Sequence, residues 1–313
     1  VLSRADADIL ATGTAAFARE PGVARIFLRE GRPYAAGERL VQGDLARTLR
    51  QIAEGGADAF YRGDIAARIV ASSEASGGLL VRQDFERYEV REREPIRCSY
   101  RGLEVVSAPP PSSGGVTLCL LLNALAGDPL GEYGFNSAQT VHLMVEAMRR
   151  AYVDRNLLLG DPDFVATPLE RLLSKDYAAG LRASIDPKRA TPIDPAKAGA
   201  AGSAGAPAEA SQTTHFSVLD RHGNAVALTY TINGYFGAKR IAGDTGFFLN
   251  NEMDDFTAKP GAPNLFGLVQ GEPNAIEPGK RPLSSMSPTI VLQDGRPFLV
   301  LGSPGGEIGR AHV

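Results

Sequence analysis

A threonine hydroxyl is a weak nucleophile at neutral pH unless a base takes its proton. The stretch Gln212-Thr213-Thr214-His215-Phe216-Ser217 puts a threonine pair at an unusual junction. It follows a tract, Ala196–Ser211, made almost wholly of Ala, Gly, Ser and Pro, and it opens a run that reads as strand. One reading is a simple strand preference, since threonine suits β-structure. The other is cleavage before Thr213, which would leave an α-amine to act as base for the Thr213 hydroxyl. An α-amino group titrates near pH ~8, so a useful fraction is free base at neutral pH. The pair alone does not separate these readings; the residues downstream do.

Four later blocks carry groups able to hold a polar substrate: Thr231-Ile232-Asn233, the run Asn250-Asn251-Glu252-Met253-Asp254-Asp255-Phe256, Pro282-Leu283-Ser284-Ser285-Met286-Ser287-Pro288-Thr289, and Gly302-Ser303-Pro304-Gly305-Gly306. Taken singly, each has a plain reading: a strand threonine, a solvated acidic loop, a serine-rich loop, a turn. In this order after Thr213 they resemble the γ-glutamyltransferase family. Upstream, Pro109-Pro110-Pro111-Ser112-Ser113-Gly114-Gly115 and Gly160-Asp161-Pro162-Asp163-Phe164 match as well, so the resemblance extends along nearly the whole chain to Gly306.

The resemblance implies an α+β fold, the four-layer αββα sandwich of N-terminal-nucleophile hydrolases, incomplete in this span. It implies a chain that cleaves itself between Gln212 and Thr213 and works as a heterodimer of large and small subunits. Residues 1–212 then form the end of the large subunit, and residues 213–306 the start of the small one. Thr213 is implied as nucleophile and Thr231 as the residue orienting its hydroxyl. Asn233, Glu252 and Asp255 are implied to accept from the ammonium of a γ-glutamyl donor, and Ser284 and Ser285 to donate to its carboxylate. Gly305 and Gly306 would offer backbone N–H groups to a developing oxyanion. Phe266, in the Gly/Pro-rich stretch Pro260–Gly271, is a lid candidate where many bacterial members carry tyrosine. Glutathione and other γ-glutamyl compounds are the implied donors, with water, amino acids or peptides as acceptors. No metal or organic cofactor is implied, and the implied location is periplasmic or secreted. A cephalosporin acylase shares this architecture, and a non-catalytic binding homologue is the alternative from another class.

The bulk numbers agree with a packed protein. The 313 residues are 43% hydrophobic, ample for a core, and the formal charge of −3 is spread over both signs. With no basic stripe, nucleic acid is not an expected partner. Cys98 and Cys119 lack metal-ligand spacing and read as ordinary buried or strand residues rather than a disulfide or nucleophile. The chain opens on Val1-Leu2-Ser3, where the family has a longer N-terminal region, so truncation is expected there. That missing region holds an arginine the family uses for the donor carboxylate. The last residues, Glu307–Val313, depart from the family pattern. They correspond to the codons of a common sequencing adapter, and a read-through is expected. A chain so shortened is expected to be inactive or nearly so.

The elements that must position these groups are legible by period. Leu45, Leu49 and Ile52 mark a helix over Gln42–Gly55, stopped by Gly55-Gly56, and Ile65, Ile69 and Val70 mark another over Asp64–Ser73. Asp84 is placed to cap a short turn. Pro95–Tyr100 and Leu103–Ser107 flank Arg101-Gly102 as a hairpin. Val116–Leu125 is an apolar helix after the proline loop, which serves either as a bend or as a site lining. In Gln139–Leu158, the residues Val141, Met144, Val145, Met148, Ala151 and Tyr152 form one helical face, and His142 beside it has no assigned role. After Thr213, Thr214–Asp220, Asn224–Thr231 and Thr245–Asn250 read as strands. Alternation at Val226, Leu228 and Tyr230 suggests a sheet with one face on a core. Asp294-Gly295 joins Thr289–Gln293 to Pro297–Gly302 as a hairpin.

Overall fold

The structure is a computed structural model that describes residues 1–192, 211–264 and 267–305. The expected tether, apart from Ser211, lies outside the described residues, as do Phe266, Gly306 and the segment Glu307–Val313. Two compact units are present: Val1–Glu92 with Gly234–Asn251, and Arg93–Asn233 with Glu252–Val313.

The first unit is helical. Its elements are α1 (Arg4–Thr12), α2 (Thr14–Phe17), α3 (Pro21–Phe27), the short pair β1 (Leu28–Arg29) and β2 (Arg32–Pro33), α4 (Gly43–Tyr61), α5 (Asp64–Ala75) and α6 (Arg82–Glu86). Gly55-Gly56 bends the expected helix rather than ending it: Gly56 adopts φ +62°, ψ −155° and the chain then resumes helical turns. Asp84 caps α6 from its first turn, its carboxylate accepting from Val81 N at 2.8 Å. The core is aromatic, with the Phe17 ring 4.9 Å from Phe236 and the Phe27 ring 4.8 Å from Phe248. Thr245–Asn250 is not a strand. Its alternation is real, Phe248 packing on Phe17 and Phe27 while Phe247 packs on Phe60. The segment lies against α4 instead, where Thr48 Oγ1 donates to Thr245 O at 2.8 Å. Among the described residues its one ladder partner is a single bridge, Ile241 to Phe248.

The second unit contains β3 (Ile96–Tyr100), β4 (Leu103–Ser107), α7 (Gly114–Leu125), α8 (Leu130–Tyr133), α9 (Ala138–Leu158), α10 (Leu169–Leu172), α11 (Lys175–Ala183), β5 (Ser211–Leu219), β6 (Ala225–Gly234), β7 (Thr289–Gln293) and β8 (Arg296–Leu301). An antiparallel sheet runs β3-β4-β7-β8, with Val105 paired to Cys98 on one side and Val291 on the other. Both two-residue turns form as expected, because Arg101, Gly102, Asp294 and Gly295 all take positive φ. α7 is apolar nearly all round and is buried against α9, α11 and β3.

Packing α7 on β3 overturns the reading of the cysteines. Cys98 and Cys119 form a disulfide, with Cα atoms 5.8 Å apart. Their spacing carries no sign of this, because a strand and a helix 21 residues on meet only in three dimensions.

Of the face expected on α9, Ala151 is buried and Met144, Met148 and Tyr152 are half-buried, but the two valines are not covered. Val141 and Val145 stay 44% and 45% exposed, whereas Leu143, Ala147, Ala151 and Arg155, spaced by four, turn inward together with Glu146. Charge is tolerated there because it is bonded: Arg150 reaches Glu146 Oε2 at 2.7 Å and Arg149 reaches Oε1 at 3.0 Å. His142 Nε2 lies 2.7 Å from Asp186 O, a local tie.

β5 and β6 make a two-stranded hairpin. Asp220 Oδ1 accepts from His222 N and Asn224 N at 2.8 and 2.9 Å, which shapes its turn. The alternation in β6 holds, but the large residues are the outer ones: Val226, Leu228 and Tyr230 are exposed, and none of the described residues covers them. Among the described residues no helix is long and apolar enough to cross a membrane.

Candidate active site

Thr213 lies in β5 directly after Gln212, in a strand that begins at Ser211. Period-2 geometry puts Thr213, His215 and Ser217 on one face. His215 bridges its surroundings: Nδ1 is 2.8 Å from Thr229 Oγ1 on β6, and Nε2 is 3.0 Å from Ser217 Oγ. Burial pulls the His215 imidazole below its ordinary value and favours the neutral ring. Gly302, after β8, closes over it, since a β-carbon there would fall 2.3 Å from the imidazole.

Thr231 and Asn233 end the partner strand β6, so Thr213 and Thr231 occupy the two strands of one hairpin. Asn233 is buried in the left-handed region at φ +74°, and its N–H donates to Thr231 Oγ1 at 2.9 Å. Asparagine tolerates that conformation because its short amide side chain bonds locally.

Glu252–Asp255 forms a single 3-10 turn, with Asp255 buried. The Asp255 carbonyl accepts from Asn274 Nδ2 at 2.7 Å and from Gln270 Nε2 at 3.1 Å, which fixes the turn from behind. Burial raises the Glu252 carboxyl above its ordinary value, with a hydrogen bond to Asp255 pulling the other way.

The serine pair is held by the proline loop. Ser284 N donates to Pro111 O, and Ser113 N and Oγ both donate to Ser284 O, at 2.8, 2.8 and 2.9 Å. Ser112 Oγ donates to Met286 O. Gly114 permits this approach, because a β-carbon there would sit 2.4 Å from Met286 O. The stretch Ser112-Ser113-Gly114-Gly115, left open as bend or lining, therefore packs directly on the serine loop. Buried Asp161 anchors the loop's start, accepting from Arg281 N at 2.9 Å. Ser285 Oγ accepts from Arg155 Nη2 at 3.1 Å.

One side chain spans the acidic turn and the serine pair. Asn274, 1% exposed, donates to Asp255 O and accepts from Leu283 N at 2.9 Å, one residue before Ser284. Gly305 follows β8 at φ +115°, a conformation suited to glycine.

Ser113, Arg155, Gln270 and Asn274 were not among the site residues expected from sequence. Gln270, at the end of the Gly/Pro-rich stretch Pro260–Gly271, is buried and bonded. The only sequence signal for Arg155 is a cation one turn beyond Ala151 on the face that α9 buries. Among the described residues no cluster of three His, Cys, Asp or Glu side chains is arranged to hold a metal.

The Gamma-glutamyltranspeptidase family model matches residues 1–313. The chain belongs to this family. It is 54% identical over 307 residues to the glutathione hydrolase proenzyme of Pseudomonas sp. (strain A14), covering 98% of this chain and 52% of that one. Among solved structures it is similar to a cephalosporin acylase from Bacillus halodurans, with a TM-score of 0.77 at 26% identity over 97% of this chain and 52% of that one. It is also similar to the Helicobacter pylori γ-glutamyltranspeptidase, with a TM-score of 0.59 at 36% identity over 61% of this chain and 55% of that one. The fold is thus α+β of the N-terminal-nucleophile hydrolase type, as expected. The chain spans about half the length of the curated relatives it matches.

Proposed function

We propose that this chain carries the core of the catalytic site of a self-processing γ-glutamyltransferase, or glutathione hydrolase. The observation that supports this most is the reach of Asn274. It ties an acidic turn suited to an ammonium to a serine pair suited to a carboxylate. A γ-glutamyl donor carries those two groups on one carbon, so its recognition needs acceptors and donors side by side.

In this reading the Thr213 hydroxyl first attacks the Gln212 carbonyl, and water resolves the ester into two chains. The freed α-amine of Thr213 then takes the hydroxyl proton as Oγ1 attacks the γ-amide carbon of the donor. The C–N bond breaks, the departing amine receives that proton, and a γ-glutamyl ester of Thr213 remains. Water, or the amine of an amino acid or peptide, releases the glutamyl group. Thr231 orients Thr213, and Asn233 with the acids Glu252 and Asp255 faces the ammonium. Ser284 and Ser285 face the carboxylate, and Gly305 with Gly306 faces the oxyanion.

The 313-residue span expressed by itself should release little amine, because apolar side chains such as Val226, Tyr230 and Phe298 stand uncovered. The Cys98–Cys119 disulfide suits an oxidising compartment and supports a periplasmic or secreted location.

The test is N-terminal sequencing of the mature small chain from the complete gene. A start at Thr213 is expected, with Thr213→Ala remaining one chain; a start elsewhere removes Thr213 from the role. Likeness to a cephalosporin acylase sustains a second reading, an amidase for acyl donors without the α-amine. Comparing γ-glutamyl and glutaryl anilides separates the two, and preference for glutaryl would favour the acylase.

A further inference from the structure

Arg155, near the end of α9, is 0% exposed. Burying a guanidinium strips its charge of water, so such a group persists only where it is well bonded. Among its hydrogen bonds are four to neutral side chains. Nη1 donates to Gln270 Oε1 at 2.8 Å and Asn156 Oδ1 at 3.1 Å, Nη2 donates to Ser285 Oγ at 3.1 Å, and Nε donates to Ser113 Oγ at 3.4 Å.

Two of these bonds lead to opposite halves of the proposed donor site. The Ser285 bond is direct. Because the guanidinium donates to the serine oxygen, it fixes the side-chain rotamer and polarises the hydroxyl, which makes the O–H a stronger donor to an anion. The Gln270 bond works at one remove. Gln270 Oε1 accepts from both Arg155 and Asn274 Nδ2, so its amide nitrogen is turned to Asp255 O at 3.1 Å. The orientation of that amide, and with it the rear support of the acidic turn, is set by the cation.

We propose that Arg155 is a positioning residue for the donor's α-carbon substituents: it aims and polarises Ser285 toward the carboxylate and, through Gln270, holds the Asp255 turn against the ammonium. This rests on the γ-glutamyl reading above. Arg155 acts through these neighbours and does not touch the donor. Lysine is not equivalent, because one ammonium on a flexible stem cannot reproduce three directed branches.

The test uses the complete protein with three anilide donors: γ-glutamyl, its 4-aminobutyryl analogue lacking the carboxylate, and glutaryl lacking the amine. Arg155→Lys should raise KM for the γ-glutamyl donor about 10- to 100-fold, the range of one charge-assisted hydrogen bond, with kcat within about threefold. The 4-aminobutyryl donor, served only by the Gln270 branch, and the glutaryl donor, served only by the Ser285 branch, should each lose less kcat/KM than the γ-glutamyl donor, which uses both. In a Ser285→Ala background the effect of Arg155→Lys on the γ-glutamyl donor should shrink to the size it has on the 4-aminobutyryl donor, the part carried by Gln270, as coupling through one bond requires. Equal loss on all donors, or full additivity with Ser285→Ala, overturns the proposal.

Should Arg155→Lys not yield folded protein, Gln270→Met cuts one branch and leaves the other. It should raise KM for amine-bearing donors and spare glutaryl; an equal effect on both overturns the proposal. If the unmodified protein itself fails to prefer γ-glutamyl over the 4-aminobutyryl donor, the assignment of the serine pair fails instead. That outcome is read before any substitution is made.

Discussion

Replacing Asn274 by leucine tests whether one buried amide holds the acidic turn and the serine loop in register. The side chain makes three hydrogen bonds: to Asp255 O at 2.7 Å, to Gln270 Oε1 at 2.9 Å, and from Leu283 N at 2.9 Å. The partners do not suffer alike. Asp255 O keeps the bond from Gln270 Nε2, and Gln270 Oε1 keeps the bond from Arg155 Nη1. Leu283 N loses the acceptor that Asn274 gave it, and Leu283 is fully buried. An orphaned buried donor costs about 1–3 kcal/mol, while each bond lost with its partner still satisfied costs about 0.5–1.5 kcal/mol. Leucine keeps asparagine's branch at Cγ and is the larger side chain, so no cavity is left, and the hydrogen-bond total is about 2–6 kcal/mol. The measurement is the urea midpoint of the complete protein, read beside KM for a γ-glutamyl anilide. Lower stability with a raised KM is expected. A stability change below about 0.5 kcal/mol would refute the accounting. An unchanged KM would show that turn and loop need no common support.

Asp255→Asn should weaken γ-glutamyl donors by about 3–5 kcal/mol, the cost of breaking one side of a buried charge pair, and spare glutaryl donors; equal loss of kcat/KM on both counts against the ammonium assignment. Glu252, raised by burial, holds a proton more tightly when folded than its ordinary value near 4.5 allows, so its contribution to stability should fall as pH rises above that value. Glu252→Gln should flatten the fall in a pH series of urea midpoints, and an unaltered slope would place the dependence elsewhere. Gly302→Ala should push a methyl into the His215 imidazole, from which its β-carbon would stand 2.3 Å away, costing about 1–3 kcal/mol and lowering kcat through the displaced Gly305 segment. A fully active, equally stable Gly302→Ala protein would show that the ring moves aside freely.

Much of the molecule is fixed by local patterns. The turns at Arg101-Gly102 and Asp294-Gly295, the helices starting near Gly43, Asp64, Gly114 and Ala138, and the order of blocks from Thr213 to Gly305 are all readable along the chain. They depend on neighbours within a few residues, through backbone conformation and side-chain period. Family membership is legible for the same reason, since the blocks keep their order. Tertiary structure decided everything that depends on residues far apart. Thr245–Asn250 has the alternation of a strand but, among the described residues, only the single Ile241 bridge beside it, and packing against α4 makes it a loop. Cys98 and Cys119 become a disulfide because α7 lies on β3. On α9 hydropathy selects Val141 and Val145, yet the buried face carries Glu146, paired with Arg149 and Arg150 on its own helix, and Arg155, whose bonds reach Gln270 and Ser285 far along the chain. Burial of a charge is set by its partners, and a sequence shows a residue's character without showing its partners.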